Sequence, residues 1–286
     1  MDIAQRQKPA PGELFLDHVS HFVPDLDAAA AVLQDLGFVV TETSAQVAGG
    51  EPVGASNRCV MLEEGYLELL TPTRDTPVAQ RMRARMAKFT GVHLACFGTP
   101  QAEAEHARLA AHGFSPQELV RLERSLEEGN AVRFNVVRPE AQAMPEGRIQ
   151  YVQQLTPEAI WTRRNLAHRN GVAALTALYV CADAVASSAA RWARFTGLLP
   201  FAAPEWAELM ATRGSVVVAT RSALEARGGF GAVPAAPALA GYALRCRNAA
   251  AFAARCTRFG LRVEGKDRHY SVTLPPELGG TWVLWG

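Results

Sequence analysis

The chain has 286 residues, 49% of them hydrophobic and 20% charged, with a formal net charge of +1. That composition supports packed cores, on the order of two domains at this length, and excludes a disordered tail. The balanced charge offers no electrostatic footprint for nucleic acid or an anionic membrane.

The opening segment "MDIAQRQKPAPGE" is polar, with no apolar stretch of the kind a signal peptide needs. No run approaches the roughly 18 apolar residues of a membrane span, so a cytoplasmic protein is expected. Its five cysteines, Cys59, Cys96, Cys181, Cys246 and Cys256, are odd in number and form no CxxC pair. They are expected to be reduced, buried thiols.

Along the chain, one pattern occurs four times: an apolar strand, a cap, an amphipathic helix and a glycine. The first copy, "HVSHFVPDLDAAAAVLQDLGF" at 18–38, has Asp25 as cap and Gly37 as closer. After it come "VVTE", a long loop and "NRCVMLEEGYLELL", which reads as a hairpin turning at Glu63–Gly65. The stretch "RMRARMAKF" at 81–89 reads as an amphipathic helix with a solvated basic face.

The second copy, at 93–114, has Thr99 and Pro100 at its helix start and Gly113 at its end, then the strands "AVRFNVV" and "GRIQYVQQL". Residues 156–172 read as a hinge. The third copy, at 177–198, has Asp183 and Gly197, and the fourth, at 243–261, has Asn248 and Gly260; each is followed by further strand-like runs. The glycine pieces at 49–50 and 228–231 lack the strand–turn–helix context of a phosphate loop and read as loops.

Each unit is therefore about βαβββ, and one such sheet cannot bury its apolar face alone. The expected fold is α+β: four βαβββ units in two paired modules, residues 12–156 and 172–286, each a U-shaped mixed sheet with helices outside. In the first strand, alternation sends His18 and His21 to opposite faces. His18 shares its face with Leu16, Ser20 and Phe22, and His21 with Val19 and Val23. Glu68 stands on an otherwise apolar strand between Leu67 and Leu69, where a buried carboxylate needs a partner.

A βαβββ unit used in pairs resembles the vicinal oxygen chelate superfamily, which includes glyoxalase I, extradiol dioxygenases and bleomycin-resistance proteins. Within it, "LDHVSHFVPDLDAAAAVLQDLGF…NRCVMLEEGYLELL" looks like the glyoxalase-like domain proteins. The resemblance is dense over 14–72, good over 90–160 and thin over 172–286.

The resemblance implies a divalent metal (Zn, Mn, Ni, Co or Fe) held by His18, Glu68 and His93, with Gln150, or in another frame Gln154, at the fourth place. Glu68 would double as the catalytic base, and His21 would be structural. Arg58, Arg133 and Asn135 are candidate substrate-binding residues; Arg133 and Asn135 share a strand face, and arginine suits a carboxylate or enediolate oxygen.

The implied activity is a metal-dependent lyase or isomerase acting on a small molecule with adjacent oxygens. A dioxygenase is disfavoured, because the superfamily's dioxygenases carry a carboxylate on the last strand, where this chain has glutamine. The alternative is a metal-free binding protein of the bleomycin-resistance type. The second pair of units has Thr176 where a ligand would stand, and is expected to pack, dimerise or wall the site. The expected partner is a small-molecule ligand, with a homodimer through the second module as a further expectation.

Overall fold

The computed structural model describes residues 2–48, 51–125, 131–266 and 268–286. The glycine pair at 49–50 lies outside them.

The first module runs β1 (Phe15–Phe22), α1 (Leu26–Asp35), β2 (Ser44–Ala48), β3 (Glu51–Met61), β4 (Tyr66–Pro72), α2 (Pro77–Met86), β5 (Gly91–Gly98), α3 (Ala102–Ala111), β6 (Val120–Ser125), β7 (Ala131–Val137) and β8 (Arg148–Gln154). The second repeats the plan: β9 (Val172–Cys181), α4 (Val185–Thr196), β10 (Pro200–Ala203), β11 (Trp206–Met210), β12 (Ser215–Ala219), α5 (Arg221–Gly228), β13 (Ala238–Cys246), α6 (Ala249–Arg258), β14 (Arg262–Lys266), β15 (His269–Thr273) and β16 (Thr281–Trp285). The four βαβββ units are thus present, in two pairs.

Local chemistry explains most of the helix ends. Asp25 caps α1 by accepting from the Asp27 and Ala28 amides, and Asn248 caps α6 by accepting from Ala251. Each such cap is worth about 1 kcal/mol. Gly37, Gly113, Gly197 and Gly260 all have positive φ, as the closers must. Two expected caps differ. The N-cap of α3 is Gln101, with Thr99 Oγ1 accepting from the Gln101 amide, and α4 starts at Ala184 without a side-chain cap. The basic stretch expected as a helix is α2, capped by Thr76 and seated by buried Met82.

The two sheets differ in closure. The first module is a closed barrel in the order β1-β4-β3-β2-β6-β7-β8-β5, not an open U. The contact that closes it is β2 against β6, where Val47 pairs with Glu123 and Ala48 with Leu122. The second module stays open, with β10 and β14 as edges.

The modules pack back to back. Leu16, Val19, Val92, Ala95 and Phe97 on the outer face of β1 and β5 join Leu175, Leu178, Tyr242 and Trp282 of the second sheet in one core. β1 is therefore buried on both faces along its whole length. The segment 156–172 is strapped to the first module: Trp161 Nε1 donates to the Leu62 carbonyl at 3.0 Å, and His168 bonds the Met61 carbonyl and the Val39 amide. The five cysteines are buried and form no disulfide among the described residues. No helix among the described residues is long and apolar enough to cross a membrane.

His21 sits at this joint. Its Nδ1 lies 2.9 Å from the Leu278 carbonyl and its Nε2 2.8 Å from the Tyr242 hydroxyl. Burial lowers its pKa to about 4, and burial does the same to His93. Below the unfolded value of 6.5 the unfolded chain takes up protons that these two folded rings refuse, so stability falls as pH drops from 6.5 towards 4. Each ring contributes roughly 1.4 kcal/mol per pH unit in that window. Urea unfolding at stepped pH checks this: His21→Gln should flatten the slope, and an unchanged slope would contradict the assignment.

Candidate functional site

The site lies inside the barrel, and strand alternation with two irregularities decides which side chains reach it. On β1 the pairing with β5 steps from Leu16–Phe97 to His18–Cys96, so Asp17 is an extra, bulged residue. That bulge turns Leu16 out to the intermodule core, away from the expected face, while His18, Ser20 and Phe22 face inward. It also leaves the fully buried Asp17 carboxylate beside the His18 ring, Oδ1 to Nδ1 at 2.6 Å. Gln154, the alternative fourth ligand, donates instead to Asp17 through Nε2 at 3.3 Å.

His18 stacks on Tyr66 at 4.2 Å between ring centroids, and its Nε2 stands 4.0 Å from Glu68 Oε2. Glu68 accepts from Ser20 Oγ and from Asn57 Nδ2, both at 2.5 Å. Burial works against charge on the His18 ring, but Cys96 and Asp17 outweigh it and hold the pKa well above 6.5. Burial also pushes the Cys96 thiol up. His18 thus stands between the side chains of Asp17 and Glu68, with its pKa held up.

Two arginines complete the cavity wall. Arg148 at the start of β8 and Arg138 just after β7 both donate through Nε to Gln150 Oε1, at 3.2 and 3.1 Å. Burial lowers the pKa of both, that of Arg148 to about 10, and each also feels the positive charge of Arg81.

His93 does not meet His18 and Glu68. Opposite Ser20 and His21, β5 steps from Leu94 to Val92, which leaves His93 as the bulged residue. A one-residue slip reverses a side chain's face. The His93 ring lies against Phe89 and Phe22, with Nε2 2.8 Å from the Phe89 carbonyl. The registers name its substitute. His18 pairs with Tyr66, two residues before Glu68, and Leu94 pairs with Arg148, two residues before Gln150. The place equivalent to His18 is therefore filled by Leu94.

The three substrate-binding candidates also lie outside the cavity. Arg58 binds the Thr41 carbonyl and Asp27 on the side of α1. Arg133 pairs with Glu123, and Asn135 donates to Gln153. Alternation put Arg133 and Asn135 on one face, but it is the outer one; Phe134 and Val136 face inward. Asp17, Ser20, Asn57, Tyr66, Arg138 and Arg148 were not among the candidates. Arg148 could have been found from its i, i+2 relation to Gln150, and Asn57 by choosing the other parity of β3.

The superfamily fold implies a divalent metal in this barrel, and the donor set does not fit one. It offers a single imidazole bonded to Asp17, a single carboxylate bonded by Ser20 and Asn57, and an amide oxygen occupied by two guanidinium N–H groups. The place expected of His93 is filled by Leu94. Two guanidiniums beside the pocket also repel a cation. Among the described residues no group of three or more His, Cys, Asp or Glu is placed to hold a metal ion.

Comparison with known proteins fits this architecture. A family model described as "Glyoxalase-like domain" matches residues 16–196, well over half of the chain. The chain belongs to the glyoxalase-like domain family. A hypothetical protein from Staphylococcus aureus is 12% identical, with a TM-score of 0.67 over 94% of this chain and 98% of that one. The Mn(II)-bound glyoxalase from Novosphingobium aromaticivorans is 9% identical, with a TM-score of 0.57 over 94% and 81%. A variant of 4-hydroxymandelate synthase from Streptomyces coelicolor is 14% identical, with a TM-score of 0.54 over 95% and 92%. At such identities these structures speak for the fold alone. No curated protein matches the sequence.

Proposed function

We propose that the glyoxalase-like barrel is the site of a lyase- or isomerase-type enzyme acting on a small anionic molecule with adjacent oxygens, by acid–base chemistry of its own side chains. The observation that carries this reading is the Asp17–His18 pair with Glu68 beside it, 4.0 Å from the His18 Nε2, in the same pocket. An imidazole with a raised pKa and a carboxylate in one pocket can serve as an acid and a base with separate tasks.

In the proposed step, Glu68 takes the proton from the carbon beside a carbonyl, and His18 gives its own proton to the carbonyl oxygen. The product is a neutral enediol. Return of the Glu68 proton to the neighbouring carbon, with loss of a hydroxyl proton to His18, completes an isomerisation with no net change in protons. Arg138 and Arg148 would hold the carboxylate or developing oxyanion.

The test is solvent deuterium incorporation, followed by proton NMR, across a panel of 2-hydroxycarbonyl and 2-oxo acid compounds, phosphorylated members included. Glu68→Gln is expected to slow exchange by about 10²–10⁴-fold. Binding of a panel member with exchange no faster than buffer would instead favour the second reading, a metal-free small-molecule binding protein. That reading draws on the apolar part of the wall, where Leu70, Leu94, Leu122, Phe134 and Val136 line the same pocket.

A further inference from the structure

The barrel cavity continues into a second pocket at its mouth, between α2 and the ends of β7 and β8. Arg138 and Arg148 line both pockets, and Arg81 and Arg85 of α2 line the outer one. The outer pocket is therefore lined by four arginines. Among the described residues none of the four forms an ion pair, although Arg58, Arg83, Arg108, Arg133, Arg191, Arg245, Arg247 and Arg262 all do. Among the described residues, the only carboxylate lining the outer pocket is Glu140, which is exposed.

Like charges that outnumber the carboxylates near them raise each other's free energy, and a bound anion relieves it; Glu68, in the inner pocket, offsets only part of this charge. We propose that this mouth is a subsite for a phosphate-like dianion, so that the ligand of the barrel carries a phosphate group at the end away from His18. This rests on the barrel being a ligand site and adds the class of ligand. Four cations exceed what one carboxylate offsets. They also come from separate elements, α2, the end of β7 and β8, and so surround a tetrahedral oxyanion better than a planar one.

Mutual repulsion appears in the groups themselves. Arg148 and Arg138 are each pulled down chiefly by burial and further by neighbouring arginines, against an upward pull from Glu68 on Arg148. Arg85 is lowered by burial alone, and its one bond here is from Nη2 to the Gly147 carbonyl at 3.3 Å. The apolar part of the lining, Phe22, Val78, Met82, Met144 and Ile149, leaves room for a short carbon chain between the phosphate and the reacting end.

Isothermal titration of the full chain with inorganic phosphate, and with acetate at matched ionic strength, tests the subsite. One phosphate should bind per chain, at least tenfold more tightly than acetate. Arg148→Met should weaken it about tenfold or more, and Arg81→Gln, an exposed helix position that folding does not need, about three- to fivefold. Phosphate binding no tighter than acetate overturns the proposal, and so does phosphate binding unchanged in Arg81→Gln, whether or not Arg148→Met folds. Glu68→Gln separates the two readings. Retained phosphate affinity with lost exchange supports both, whereas retained affinity with unchanged exchange removes the acid–base chemistry and leaves the subsite standing.

Discussion

Arg191→Met is expected to destabilise the chain by about 3–5 kcal/mol. Glu146, in the first module, has a side chain with 0% exposure at the joint with α4 of the second. Its Oε1 accepts from Ser188 Oγ at 2.8 Å and Trp192 Nε1 at 3.2 Å, and it pairs with the Arg191 guanidinium. Removing the arginine leaves the carboxylate with two neutral donors and no counter-charge. Trp192 and Phe195, both fully buried on the same helix, depend on that seat. Urea unfolding should show a lower midpoint with an unchanged slope. Glu146→Gln, which keeps the shape and removes the charge, should cost less. A loss below about 1 kcal/mol in Arg191→Met, the range of an exposed pair, would mean that this ion pair does not hold the modules together.

Asp17→Asn should lower the deuterium-exchange activity by about a hundredfold or more. Asp17 touches no substrate; it positions His18 and keeps its ring charged. Without that carboxylate the ring loses one of the partners that oppose burial, so its pKa should fall. The alkaline limb of the activity, where His18 loses its proton, should move down in pH with it. A structural role alone would lower activity without moving the pH profile, and that outcome would remove Asp17 from the mechanism.

The repeat was the legible part of the sequence. Four glycine closers, two true caps and the Glu63–Gly65 turn follow from short-range chemistry, and they fix four units in two pairs. The separation of His18 from His21 was also readable, because alternation within one strand needs only local geometry. Glu68 was visible as a charge in an apolar run.

Other features depended on long-range pairing. The bulges at Asp17 and His93 arise where β1 meets β5, and nothing in either strand alone marks them. A repeat position therefore pointed to His93, whereas the register delivers Leu94. Alternation grouped Arg133 with Asn135, but only the closed barrel decides that their face is the outer one. Closure itself depends on β2 meeting β6, two short strands from different units.

The most direct test of the barrel as an acid–base site is nitrogen-15 NMR of the histidine rings at pH 7, with and without stoichiometric Mn(II). The expected result is a His18 ring protonated on both nitrogens, with signals that manganese leaves sharp, and a neutral His93. The contradicting result is a neutral His18 whose signal is broadened by one equivalent of Mn(II) together with that of His93, which would restore a metal centre to the barrel.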